Sequence, residues 1–354
     1  MSEILLLRPH ELLGLVGMAE AIDAVAAAYA GGSEYPVINA PRRRVHSPEG
    51  VRVSNFPGGV HALGVIGSQT RAELVGHGEG HQHYLRREPP VFVLNDSHTG
   101  ELLAILIGEI PEKDLGPSSL MAMRTGATSG VGFRHLVRED ARVAGLFGSG
   151  GQAAHQLLAL LTVRPGIERV RVFSRDAGNR ARFAEEYGAR FGVEIEPVAS
   201  AEAVIDGADA VLCATNTSTE LFDGDLLQPG QHVTGIIGSN MQLVEGGFLK
   251  TVRRELDDRT AERADLIVAN LRDSVISEKQ GDLYQPLEKG MIRLEDIVDL
   301  GELALGRHPG RSAPGQLTYH KNNNGTGAAD LAVAMLAYRK ARELGRGTII
   351  DLAA

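Results

Sequence analysis

Val143-Ala-Gly-Leu-Phe147 runs directly into Gly148-Ser149-Gly150-Gly151-Gln152-Ala153, and a helix-forming run follows at residues 154–161. An apolar segment of strand length enters a glycine turn, and a second strand-like run comes at residues 169–173. The spacing is G-x-G-x-x-A. Gly148 permits a tight turn, Gly150 lets a pyrophosphate approach the backbone, and the small Ala153 lets helix and strand pack closely. The helix start then offers unpaired N–H groups and the positive end of its dipole to phosphate. A chain with 43 glycines produces such triplets by chance. The strand before the turn and the helix after it are what point to a dinucleotide.

The end of the second strand bears on which dinucleotide. NAD sites usually place Asp or Glu there, to accept from the ribose hydroxyls. This chain has Phe173-Ser174-Arg175-Asp176, with Arg180 one helical turn on. Ser174 is neutral, and Arg175 can stack on adenine and pair with a 2′-phosphate. Arg180 is either a second phosphate contact or part of a solvated helix face. Asp176 becomes the ribose acceptor only if the strand ends later than residue 173. The expected cofactor is therefore NADPH/NADP rather than NAD.

A chain of 354 residues is long enough for two domains with separate cores. Hydrophobic content of 43% and charged content of 23% are those of a soluble globular protein. With a net charge of −9, and Arg42-Arg43-Arg44 as the one basic cluster, no nucleic-acid partner is expected. The single cysteine, Cys213, excludes an internal disulfide framework and a multi-cysteine metal site, and suits a reducing cytoplasm. Its apolar neighbours predict a packing role. Neither a leader pattern nor a membrane-length apolar run is present, so a cytoplasmic protein without a membrane partner is expected.

Up to about residue 120 the pattern is strand-rich. Strands are predicted at residues 51–56, 62–68, 90–95 and 102–107, with one Ala-rich helix at 18–30. That suits a mostly antiparallel sheet. A helix at 120–136 carries Arg124. Beyond the glycine turn, strands at 170–173, 194–197, 210–214, 232–235 and 266–268 alternate with helices, the pattern of a doubly wound parallel sheet. A tail helix at 327–344 is expected to pack back on the first domain. His77, His81 and His83 lie in a Gly-rich stretch. They lack the further ligands of a zinc pattern, so no metal is expected. They are either an exposed polar loop or a source of protons for the site.

Several further stretches carry a resemblance. They are Phe56-Pro57-Gly58, Ala62-Leu63-Gly64-Val65, Asp96 with Thr99-Gly100-Glu101, and Arg124-Thr125-Gly126-Ala127. Gly207-Ala208-Asp209-Ala210-Val211, Thr215-Asn216-Thr217, Gln228-Pro229-Gly230 and Thr318-Tyr319-His320-Lys321 with Gly325 and Asp330 complete the set. With the glycine turn, they resemble the ornithine cyclodeaminase/μ-crystallin family over essentially the whole chain. The resemblance implies a central Rossmann domain, residues 121–319, and a substrate-binding and dimerisation domain from residues 1–120 and 320–354. It also implies a homodimer, and an NAD(P)H-dependent reductase or dehydrogenase acting on the C=N bond of an imino acid or a keto acid–amine adduct. A μ-crystallin-like NADPH-binding protein with little turnover, and an NAD-dependent cyclodeaminase-type lyase, are the alternatives.

Carried over residue by residue, the resemblance assigns a substrate carboxylate to Arg124 and to one of Arg42, Arg43 and Arg44, with Arg44 favoured by alternation. It assigns the cofactor to the turn and to Thr215 and Asn216. The family lysine falls on Ile66, which implies a more apolar pocket wall, and a family aspartate falls on Asn240. Asn240 can orient a proton but cannot take one at neutral pH. His320 and Lys321, in a polar stretch read as a loop closing the nicotinamide pocket, are the candidate acid and cation. Glu278-Lys279-Gln280-Gly281-Asp282 resembles a family helix end and is expected to be structural.

Overall fold

The computed structural model describes residues 3–31, 37–76, 83–117, 121–238, 241–247, 249–322 and 326–352. The chain divides into two compact units. The first contains Met1–Arg124, Gln242–Lys250 and Gly325–Ala354, and the second Thr125–Met241 and Thr251–Asn324.

Among the described residues, the first unit is built on a nine-stranded sheet. Its main path runs Thr348–Asp351, Glu3–Leu7, Leu102–Ile107, Val91–Asp96, Val65–Gly76, Val51–Val60 and Ile38–Asn39. Arg43–His46 adds to Val51–Val60, and His83–Arg87 adds to Val65–Gly76. The pairings are antiparallel except for Glu3–Leu7 against Leu102–Ile107. Neither terminal strand is anticipated by the sequence reading. Ile4-Leu5-Leu6-Leu7 has no alternation: consecutive Ile4 and Leu5 are both buried, so both faces of the strand are covered.

The central hairpin also runs further than expected. Val51–Val60 continues through Pro57-Gly58-Gly59, a run that propensity reads as a breaker. Gly58 is there for space: a Cβ on it would stand 2.3 Å from the carbonyl carbon of Gly327. That close approach seats the helix Gly327–Glu343 against the strand. Its buried positions include Gly327, Ala328, Ala329, Ala332, Ala334, Ala337 and Ala341, small enough to pack against Met18–Ala30 on another side. A short 3-10 turn at His61–Leu63 and left-handed Gly64 (φ +71) close the hairpin, where residues 62–64 are predicted as strand.

Among the described residues, the second unit holds eight parallel strands. Their order is Glu194–Pro197, Arg169–Phe173, Val143–Phe147, Ala210–Cys213, His232–Gly235, Thr318–Lys321, Leu266–Ala269 and Ile297–Asp299. Chain order reverses between Val143–Phe147 and Ala210–Cys213, which makes that crevice the topological switch point of a doubly wound sheet. Phe147, Val211, Val233, Ile267 and Tyr319 lie in one buried cluster beneath it. The fold class is as the sequence implies, with one correction. Thr318–Lys321, expected as a polar loop, is a central strand with every residue buried. Its polar side chains are satisfied by neighbours that periodicity cannot reveal.

Candidate functional site

The glycine turn has the shape its spacing implies. Gly148 sits at φ +109, and a Cβ there would lie 2.2 Å from the Ala214 carbonyl oxygen. Ala153 is buried on the helix Gly151–Val163. Gly150 precedes that helix as its N-cap without a side-chain cap, and a Cβ on it would meet nothing within 4 Å. Gly151 and Gln152 form the first turn. The open space at Gly150, beside uncapped helical N–H groups, fits the pyrophosphate of a dinucleotide. Ser149 Oγ donates to Ser174 Oγ at 2.9 Å, tying the turn to the end of the neighbouring strand.

That strand ends at Phe173. Arg175 and Asp176 are exposed just beyond it. Asp176 is engaged as the N-cap of Ala177–Phe191, accepting from Asn179 N at 2.6 Å. Arg180 donates to the Ser174 carbonyl at 2.8 Å and lies over the Phe173 ring at 5.6 Å. Ser174, Arg175 and Arg180 are thus gathered at one strand end. Thr215 lies at the end of Ala210–Cys213, where its N–H and hydroxyl both donate to Glu255. Asn216, next along, is exposed.

Glu255 is a residue the sequence reading misses. It is fully buried and accepts from Thr215 N, Thr215 Oγ1, Ile236 N and Ile237 N, which pins the ends of two central strands. Burial, reinforced by the nearby Asp282 charge, pushes its carboxyl up to about 7, against the pull of Lys321 and Thr215. Asp282 accepts from Glu255 N and from Lys321 Nζ at 2.5 Å, while Lys321 also donates to the Ile237 carbonyl. Lys321 is thereby closed inside the sheet. Burial beside these carboxylates also holds the Cys213 thiol well above its usual range.

His320 is equally enclosed. Its Nε2 is 3.0 Å from Asn270 Oδ1, and a Cβ on Gly132 would stand 2.4 Å from its Nδ1. Burial and the Lys321 charge hold the imidazole down to about 3, so it is neutral at physiological pH. Asn270 in turn donates to Asn322, whose amide reaches the Thr125 carbonyl and Ser129 Oγ. The expectation that His320 and Lys321 sit on a loop as acid and cation is corrected: both anchor a core strand.

Arg124 lies in the first unit. It is 5% exposed and donates to Asp330 Oδ1 at 2.7 Å. Burial raises the Asp330 carboxyl, opposed by Arg124 and more weakly by Arg71 and Arg42. Arg44 pairs across from Ser54, on the same sheet face, and is half-buried. Arg42 is the more deeply placed, 9% exposed and 6.0 Å from the Phe56 ring centroid. Ile66, the position of the family lysine, is 38% exposed. Strand alternation turns it to the opposite face from Gln69 and Arg71, so it does not make the wall beside Arg124 apolar. Gln69 and Arg71 escape sequence reading because alternation scores polar positions as outward-facing.

Asn240, His77 and His81 lie outside the described residues, as does the side chain of His83. Among the described residues, no group of three or more His, Cys, Asp or Glu is placed to hold a metal ion. No described helix is long and apolar enough to cross a membrane.

A doubly wound parallel sheet with an open glycine turn at its first strand defines a dinucleotide-binding protein. Residues 5–345 match the ornithine cyclodeaminase/mu-crystallin family, and the chain belongs to it. Delta(1)-pyrroline-2-carboxylate reductase of Bacillus cereus is 31% identical over 262 residues, 74% of each chain. Ornithine cyclodeaminase of Agrobacterium fabrum is 37% identical over 122 residues, 34% of each chain. The Thermococcus litoralis Delta(1)-pyrroline-2-carboxylate reductase, solved with NADH and L-proline, superposes with a TM-score of 0.81 at 27% identity. That match covers 98% of this chain and 100% of the other.

Proposed function

We propose that this protein is an NAD(P)H-dependent reductase of the C=N bond of an imino acid, with NADPH as the preferred cofactor. The observation that carries the reading is one chain holding both a glycine turn open at Gly150 and a buried arginine, Arg124, which lies on the helix Ala122–Leu136 and is hydrogen-bonded to Asp330. Relatives that are imino-acid reductases point the same way. The bound dinucleotide supplies hydride. Gly148, Gly150 and the uncapped start of Gly151–Val163 would hold its pyrophosphate, and Thr215 and Asn216 would line it further along. Arg175 and Arg180 would receive a 2′-phosphate, because Asp176 already caps its own helix and Ser174 offers no charge to repel one.

Arg124 would hold the substrate carboxylate as a fork, with Arg42 or Arg44 from the hairpin face beside it. Asp330 accepts from Arg124 Nε and so orients the guanidinium. The proton for nitrogen would come from a group other than His320 and Lys321, since both are enclosed in the sheet. A cyclodeaminase reading is kept by the Agrobacterium fabrum match, though Asn240 replaces the carboxylate that resemblance assigns to it.

Titration with NADPH and NADH, followed by nicotinamide fluorescence, tests the reading when cyclic and open imino acids are then added. Expected is at least about tenfold tighter NADPH binding, a difference of about 1.4 kcal/mol, with loss of signal as imine is reduced. Ammonia release from a diamino acid with no net cofactor change would establish the cyclodeaminase instead. Tight binding with no turnover across the panel would leave a binding protein.

A further inference from the structure

Residues on one face of the central hairpin hold an unusual balance of charge. Across the Val51–Val60 and Val65–Gly76 pairing, Arg52 stands opposite Glu73, Ser54 opposite Arg71, and Phe56 opposite Gln69. Phe92 flanks Gln69 on the next strand. Gly58 touches Gly327, and a Cβ on Gly67 would lie 3.3 Å from Leu331, so this face looks toward the helix that bears Asp330. A small cavity of about 10 Å³ lies in the same layer, bordered by Phe92, Met123, Arg124, Asp330 and Val333.

One carboxylate, Glu73, serves three guanidiniums there. Arg52 donates to it from Nε at 3.1 Å, and Arg71 and Arg87 approach within 3.7 and 3.6 Å. Asp330 pairs with Arg124 and feels Arg71 and Arg42. Half-buried Glu109 faces Arg87 and Arg71, and burial raises its carboxyl. Glu73 and Glu109 are thus shared among Arg52, Arg71 and Arg87. Arg71 is central to all three acids, and its side chain is only 15% exposed. It also lies 5.4 Å from the Phe56 ring centroid.

Beside it is Gln69, wholly buried, with neither its amide nitrogen nor its amide oxygen hydrogen-bonded. Ser54 Oγ and Asp330 Oδ2 also lack hydrogen bonds. Buried polar groups are normally paired, and leaving a whole amide unpaired is destabilising. Arg71, whose near carboxylate Glu73 is shared with Arg52 and Arg87, likewise gains from a further anion. One ligand corrects both defects.

We propose that Arg71 and Gln69 form a second anion seat, which makes the preferred substrate an imino acid bearing a second acidic group. This rests on the reductase reading of the same site, with Arg124 holding the first carboxylate. The seat is distinct from the position of the family lysine, Ile66, which faces the other way. Arg71 supplies charge and a donor fork, and the Gln69 amide donates to the second carboxylate from a position fixed between Phe56 and Phe92.

Calorimetry on the full chain with saturating dinucleotide separates the possibilities, using L-aspartate and L-glutamate against L-alanine and L-proline as product-like probes. The dicarboxylates should bind at least about tenfold tighter. In Arg71→Met the loss should be at least about tenfold greater for dicarboxylates than for monocarboxylates. Gln69→Glu, nearly isosteric and able to pair with Arg71, keeps the fold testable and should lose dicarboxylate affinity selectively. Equal or weaker dicarboxylate binding by the parent protein, no binding of any probe, or an unchanged ratio in both variants overturns the proposal. Turnover is read separately. Dicarboxylate preference without imine reduction removes the reductase reading and leaves the seat. Reduction of monocarboxylate imines with no such preference does the reverse.

Discussion

Glu255 shows how one buried side chain can tie the ends of two central strands together. Four donors converge on its carboxylate while burial opposes its charge, raising it from a reference near 4.5 to about 7. A raised carboxyl means the folded protein holds its proton where the unfolded chain has lost it. Stability contributed by this group is therefore complete below about pH 4.5 and is lost as pH rises through about 7. The loss is about 3 kcal/mol. Glu255→Gln should flatten that part of the curve while lowering the whole of it, because an amide presents a donor to backbone N–H groups. Denaturant midpoints at pH 5 and pH 8 for both proteins check this; parallel pH profiles would show that Glu255 does not titrate in the window.

At the scale of the element, the two glycines of the turn have different duties. Gly148 is required by the fold, since φ +109 and the 2.2 Å approach of the Ala214 carbonyl exclude a side chain. Gly148→Ala should cost about 2 kcal/mol or more in stability and abolish dinucleotide binding. Gly150 has φ −103 and open space where a Cβ would project. Gly150→Ala should therefore leave the melting temperature within about 2 °C and still weaken dinucleotide binding by at least tenfold, or about 1.4 kcal/mol. Paired melting and fluorescence titrations separate the two. An undiminished affinity in Gly150→Ala would place the pyrophosphate elsewhere.

Over the whole molecule, each unit carries its own sheet and core, and the dinucleotide turn lies wholly in the unit Thr125–Met241 with Thr251–Asn324. Ligand that binds only the folded form stabilises by mass action, about 2.7 kcal/mol at a hundredfold excess over Kd. NADPH at that level should slow amide exchange chiefly in the parallel sheet, for example across Val143–Phe147 and Ala210–Cys213. Protection confined to the antiparallel sheet would contradict dinucleotide binding at the turn.

Elements whose cause is local are legible in the amino-acid sequence. Val143–Phe147, the glycine turn and Gly151–Val163 follow from short-range periodicity and from the special dihedral and space needs of Gly148, Gly150 and Ala153. The parallel alternation of the second unit follows in the same way, as does the strand end at Phe173. Arg124 was legible because a motif marks it. Tertiary structure alone decided the rest. Thr318–Lys321 looks like a polar loop, yet it is the sixth strand of the parallel sheet because Asn270, Asp282 and the Ile237 carbonyl satisfy its side chains from distant parts of the chain. Glu255 carries no motif, since its four donors come from two other strand ends. Gln69 and Arg71 read as solvent-facing by alternation, and only the helix laid over Gly58 turns their face into an interior. Period and propensity report what a residue does to its own backbone. Which of two sheet faces is buried, and which charges meet there, depends on pairings hundreds of residues apart.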